Sequence, residues 1–172
     1  GRDILAVVTR RLGAEVALLG RSEKFIPVDT EAIRSEDVEF ARKWTAEHQL
    51  DAIFSTDGDS DRPLLADEKG EWFRGDVGGI FCARFLGAQR VSTPVSSNTA
   101  LERSCWFKEV TRTRIGSPYV IEEMIRGTHT CPDSVIVGYE ANGGFLQQTS
   151  LELNGRKLPA LPTRDEIGRA HV

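Results

Sequence analysis

The chain has 172 residues, enough for one large domain or two small ones. It carries 22 lysines and arginines against 26 aspartates and glutamates, a net charge of −4 that excludes nucleic-acid binding through a general basic field. Apolar residues make up 40 % and charged residues 28 %, values of a soluble globular chain, and no apolar run reaches the ~20 residues that a membrane helix needs.

Residues 2–12 have the helical period, with Ile4, Leu5, Val8 and Leu12 on one face and Gly13 after the last turn. This opening is unlike the apolar core of a secretory leader. EVALLG (15–20) predicts a short buried strand, and a loop with Pro27 follows. Ser35 then predicts a helix cap for about 36–48. DAIFST (51–56) predicts a second apolar strand, and PLLADEKGEWF a hairpin turning at EKG.

From Asp76 the pattern restarts. DVGGIFCARFLG predicts a helix and RVSTPV (90–95) a strand; Ser97 or Asn98 caps a helix of about 99–105. EVTRTRI (109–115) predicts a strand, SPYVIEEMIRG a helix with Pro118 in its first turn, and SVIVGYE (134–140) a strand broken at Gly143–Gly144. Alternating strands and helices give an α/β class: two consecutive small α/β domains with mostly parallel mixed sheets flanked by helices. The boundary is expected between residues 73 and 74. Neither end carries a capping element, so the chain is expected to be a piece of a longer protein, one able to oligomerise through exposed sheet edges. The three cysteines, Cys82, Cys105 and Cys131, match no zinc spacing, and Cys82 in its apolar helix reads as a buried, inert thiol. A reducing, cytoplasmic setting fits that usage.

Between the second strand and the hairpin stands STDGDSDRPLLAD (55–67). Asp57, Asp59 and Asp61 alternate, and alternate residues of extended or turned backbone point to one side. Three converging carboxylates repel one another, so a hard cation, Mg²⁺ or Ca²⁺, accounts for the pattern. Gly58 is expected to allow the tight turn, and Arg62 adds a cationic fork suited to phosphate oxygens. A solvated acidic turn is the plain alternative. A calcium loop is the sharper one: Asp57, Asp59, Asp61 and Glu68 fall at positions 1, 3, 5 and 12, but Arg62 takes the position that should be glycine.

TDGDSDR followed by a second α/β unit resembles the α-D-phosphohexomutase superfamily, the phosphomannomutases and phosphoglucomutases, whose metal loop D-G-D-x-D-R is matched at every fixed position. VGYEANGGF stands where that family has its G-E-x-S-G-like sugar loop, and TRTRIGSPY where it has a basic phosphate-contacting stretch. GRSEKFIPVDTEA (20–32) and LPTRD (161–165) look like the phosphomannomutase branch.

The resemblance implies an isomerase that interconverts hexose 1-phosphate and hexose 6-phosphate through a phosphoserine and a hexose 1,6-bisphosphate. It implies that residues 1–73 are the second domain, missing its first strand, and 74–172 most of the third. On it, Asp57, Asp59 and Asp61 hold Mg²⁺, Arg62 acts in catalysis, and Glu140, Asn142, Arg114 and Gly116 bind substrate. No nucleic acid or membrane is implied. Asn142 stands where relatives often have serine, and Gly144 where many have histidine. No Ser-x-His-Asn phosphoserine loop and no R-x-S-G-T distal phosphate loop occurs, so the chain alone is expected to be inactive. The rival class is a non-catalytic, calcium-loaded module. Read without the resemblance, Glu140 is a strand-end acid, Arg114 a surface residue and Ser117 a helix cap; the three histidines are surface residues and the three tryptophans pack locally.

Overall fold

The computed structural model describes residues 3–162. The last three residues of LPTRD, and His171, lie outside the described residues. The chain divides into two compact units, Gly1–Arg74 and Gly75–Val172.

The first unit carries α1 (Ile4–Arg11), α2 (Ser35–His48), β1 (Ile53–Thr56), β2 (Pro63–Ala66) and β3 (Trp72–Phe73). Its sheet runs β1-β2-β3, antiparallel throughout, with Thr56 opposite Pro63 and Ala66 opposite Trp72. The α/β class holds, but the expected parallel pairing is absent from this unit because EVALLG forms no strand. Leu18 is 55 % exposed, and among the described residues no strand runs beside 15–20 to supply a ladder. An apolar run without a hydrogen-bonding neighbour stays a loop. The α1 face fails in the same way, since Ile4, Val8 and Leu12 are all exposed. Ser35 does not cap α2: it is the first helical residue, and Arg34 holds the extended cap position without a side-chain capping bond. The hairpin turns at 67–71 as expected, with the Gly70 amide donating to the Asp67 carbonyl at 3.0 Å.

The second unit carries α3 (Gly75–Phe85), β4 (Arg90–Pro94), α4 (Ala100–Arg103), β5 (Glu109–Thr113), α5 (Ser117–Thr130), β6 (Ile136–Tyr139), β7 (Phe145–Gln147), β8 (Leu151–Leu153) and β9 (Arg156–Leu158). Its main sheet runs β5-β4-β6-β7, parallel except for the β6–β7 pair. Alternation along β6 builds the layers. Val137 and Tyr139 face a cluster with Ile80, Ala83, Val91 and Leu101, which seats α3. Ile136 faces the other side, with Val120 and Met124 of α5 and Leu146. A side chain at Gly138 would meet Val120 Cγ1 at 2.5 Å, which shows how closely α5 lies on the strand. The unit is therefore a helix–sheet–helix sandwich.

Three details differ from expectation. Neither Ser97 nor Asn98 holds the cap position of α4, which falls on Thr99 without a side-chain capping bond; Asn98 Oδ1, one residue earlier, accepts the Ala100 amide at 2.8 Å, and α4 stops after one turn because Cys105 takes a left-handed φ of 54°. Ser117 is the first residue of α5, with Gly116 at the cap position. Cys82 is exposed, not buried, because it points away from the sheet between Phe81 and the buried Ala83. Among the described residues, no helix is long and apolar enough to cross a membrane.

Candidate functional site

The aspartate loop is the connection of the β1–β2 hairpin. Asp57 exchanges a backbone bond with Arg62 across its neck, amide to carbonyl at 3.2 Å, so the loop opens where the ladder ends. The Ser60 amide donates to the Asp57 carbonyl at 3.2 Å. The left-handed turn falls on Ser60, with φ 68°, and not on Gly58, which lies against the Phe25 ring. This folding brings carboxylate oxygens of Asp57, Asp59 and Asp61 within 4.8 Å of one another.

Asp57 is 8 % exposed, whereas Asp59 and Asp61 face solvent. Burial, together with the negative charges of Asp59 and Asp61, raises the Asp57 carboxyl above its ordinary range, against the Arg62 amide that donates to its Oδ1 at 3.2 Å. Three oxygen donors, one desolvated and all mutually repelling, fit a hard divalent cation; among the described residues no histidine or cysteine joins them. Arg62 Nε is buried without a hydrogen-bond partner, 3.7 Å from Asp57 and 3.6 Å from Asp61. The guanidinium thus stands beside the cluster and offsets part of its charge without closing it.

In the second unit the remaining expected residues lie at the carboxyl ends of parallel strands, the edge where α/β sheets bind ligands. Glu140 follows β6 and is 8 % exposed. Its amide donates to the Gly144 carbonyl at 2.9 Å and its carbonyl accepts the Gly143 amide at 3.1 Å, which closes a tight turn. Asn142 Oδ1 accepts the Gly144 amide at 3.0 Å, so this side chain shapes the turn through its oxygen. Arg114 and Gly116 follow β5, two strand spacings away, about 10 Å. Arg114 is exposed, 5.1 Å over the Tyr119 ring, beside an open groove of about 570 Å³ that also touches Arg126 and His129.

Between these two loops lies a polar network that sequence reasoning missed. Arg112 uses all five of its N–H donors: two on Glu102, at 2.6 and 2.7 Å, and three on the carbonyls of Pro94, Ser97 and Asn98. Those bonds to Arg112 hold Glu102 below the ordinary carboxylate range. Fully buried Asp76, in the first turn of α3, accepts the Asn98 amide at 2.7 Å. The available signal was Pro94 ending a central strand, a place where a ladder donor is lost.

Residues 74–153 match the family model described as phosphoglucomutase/phosphomannomutase, alpha/beta/alpha domain III. Over 169 residues, 97 % of the chain, it is 48 % identical to a phosphomannomutase of Salmonella muenchen, of which it covers 34 %. It is equally identical over 95 % of its length to a phosphomannomutase of Sinorhizobium fredii, again covering 34 %. A phosphoglucosamine mutase of Myxococcus xanthus is 37 % identical over 83 % of the chain. Among solved structures, a phosphoglucomutase/phosphomannomutase family protein from Burkholderia thailandensis shares the fold, with TM-score 0.55 at 17 % identity, covering 70 % of this chain and 26 % of that one. The chain thus spans about a third of the length of the phosphomannomutases it matches.

Proposed function

Because the chain belongs to the phosphoglucomutase/phosphomannomutase family, we propose that it carries the metal-binding and sugar-binding loops of a phosphohexomutase. The reaction is the interconversion of hexose 1-phosphate and hexose 6-phosphate through a hexose 1,6-bisphosphate, and similarity to phosphomannomutases favours mannose phosphates. Residues 1–73 act as the second domain of such an enzyme and 74–172 as the third. The observation that carries the reading is the convergence of Asp57, Asp59 and Asp61 within 4.8 Å beside Arg62.

Mg²⁺ bound by the three carboxylates supplies charge neutralisation to a transferring phosphoryl group. Arg62, whose guanidinium stands beside these carboxylates, steadies phosphoryl oxygens there. Glu140 accepts hydrogen bonds from two sugar hydroxyls and so fixes which end of the hexose is presented. Asn142, with its oxygen committed to the turn, offers its amide protons to the sugar. Arg114 and the Gly116 backbone receive the phosphate that is not being transferred. The 172 residues hold no Ser-x-His-Asn motif, so the reading gives this chain part of the site and no turnover by itself. Three unpaired cysteines suit a reducing cytoplasm.

Calorimetric titration with Mg²⁺, Mn²⁺ and Ca²⁺ tests the site. Mg²⁺ is expected to bind, and Asp59→Asn to weaken it by at least about tenfold. A site about tenfold tighter for Ca²⁺ than for Mg²⁺ would replace the phosphoryl reading with a structural calcium loop.

A further inference from the structure

We propose that Thr93 is a positioning residue for Glu140, an inference that rests on the sugar-binding role given to Glu140 above. Backbone alternation along β6 leads to it. The Ile136 carbonyl accepts the Gln148 amide at 3.0 Å and the Glu140 amide donates to Gly144 at 2.9 Å, so both residues turn their backbone groups toward β7. Tyr139, between them in this alternation, turns its carbonyl toward β4. With Ser92 opposite Gly138, the ladder donor for that carbonyl is the amide of residue 94. Residue 94 is proline and has no amide proton.

Tyr139 is 0 % exposed, and a buried carbonyl without a donor is costly. The Thr93 hydroxyl fills the gap, donating to the Tyr139 carbonyl at 2.8 Å. A hydroxyl has one proton, so the 2.7 Å contact between Thr93 and Ser97 must run the other way, with Ser97 donating to Thr93 Oγ1. Ser97 is fixed in turn: its amide donates to Pro94 at 3.1 Å, and its carbonyl accepts Arg112 Nη1 at 2.9 Å. Thr93 and Ser97 are both buried. The peptide that joins Tyr139 to Glu140 is therefore held at its amide by Gly144 and at its carbonyl by one side chain, where a ladder bond would otherwise act. The Arg112 and Asp76 network keeps that side chain in place. Glu140 leaves the sheet from this joint, so its direction depends on the Thr93 hydroxyl.

The test compares amide hydrogen exchange and mannose 6-phosphate binding, both followed by NMR, in the chain and its Thr93→Val, Thr93→Ser and Glu140→Ala variants. Thr93→Val keeps shape and removes the hydroxyl. It is expected to speed exchange of the Glu140 and Gly143 amides by about tenfold while Val91 and Val137 stay within about twofold, and to weaken sugar-phosphate binding by about tenfold. Thr93→Ser, which keeps the hydroxyl, is expected to restore both. Unchanged Glu140 exchange in Thr93→Val, failure of Thr93→Ser to rescue, or equal acceleration at Val91 and Val137 would each overturn the proposal. If Glu140→Ala binds mannose 6-phosphate as the parent does, the sugar-binding role of Glu140 fails instead. The exchange data then decide alone whether Thr93 sets the loop.

Discussion

Asp57 shows how one side chain can oppose the fold that holds it. Burial and two neighbouring carboxylates raise its pKa, which means the charged form is disfavoured in the folded state. The sign follows from linkage: the penalty is absent below the unfolded pKa and fully present above the raised folded one, so metal-free stability falls as pH rises through that window. Asp57→Asn keeps an oxygen to accept the Arg62 amide and removes the charge. In chelator at pH 7 the variant is therefore expected to melt higher than the parent. Saturating Mg²⁺, which at a hundred times its dissociation constant adds about 2.7 kcal/mol, is expected to raise the melting point of the parent and not of the variant. A lower melting point for Asp57→Asn in chelator would refute the account. Glu102 has the opposite sign. Hydrogen bonds from Arg112 depress its pKa, so its contribution is present above the ordinary carboxylate range and is lost as pH falls through the depressed value. Its side chain is 42 % exposed, which limits the pair to about 0.5–1 kcal/mol. Glu102→Gln is expected to cost that much at pH 7 in urea titrations. The gap to the parent should close as pH falls from the ordinary carboxylate range through the depressed value.

Elements succeed where their local signals are met by a partner. The hairpin of β2 and β3 is the clearest case, because its tip docks on α2. Gly70 has φ 75°, and a Cβ there would lie 2.5 Å from the Arg42 amide nitrogen and 2.6 Å from the Ala41 carbonyl carbon. Arg42 also pairs with Glu71, and Trp72 Nε1 donates to the Asp37 carbonyl at 3.2 Å. Gly70→Ala thus meets both a left-handed backbone and the backbone of a helix that cannot move aside. We expect it to destabilise the first unit by roughly 2–5 kcal/mol, read as a lower urea midpoint of Trp44 and Trp72 emission. An unchanged midpoint would show that the tip is not seated on α2. The same contrast explains what could be read in advance. β1, the hairpin, α2, α3, β4, β5, α5 and β6 were legible because period, turn residues and glycine breaks all lie within a few residues of one another. The aspartate convergence was legible because alternation is a local property. EVALLG and the α1 face misled because an apolar pattern states a need for burial without supplying the neighbour. The Arg112 network was invisible for a related reason: Pro94, Glu102 and Arg112 come together only when β4 and β5 pair in parallel, with Pro94 opposite Thr113.

At the scale of the whole molecule the two units differ in how far each buries its own apolar residues. In the second, Val91, Leu101, Val120, Met124, Ile136, Val137, Tyr139 and Leu146 are at most 1 % exposed, and they fill both faces of one sheet. In the first, the buried apolar residues among those described are Ala41, Leu64 and Ala66. Phe25 and Phe54 remain 74 % and 55 % exposed, and an open cleft of about 1180 Å³ runs among Leu5, Phe25, Phe40, Trp44 and Phe54. Stability scales with apolar area removed from water, so a unit whose large side chains line an open cleft holds only a small margin against chain entropy. Urea is therefore expected to unfold the chain in two steps, the first unit well before the second. The tryptophans report each step separately, since Trp44 and Trp72 lie in the first unit and Trp106 in the second. A Trp106→Phe variant follows the early transition and a Trp44→Phe/Trp72→Phe variant the late one. If Mg²⁺ loads the aspartate loop as proposed, it is expected to move the early midpoint upward and leave the late one in place. Coincident transitions, or a Mg²⁺ shift confined to the late one, would mean that the aspartate loop does not draw its stability from the unit that carries it.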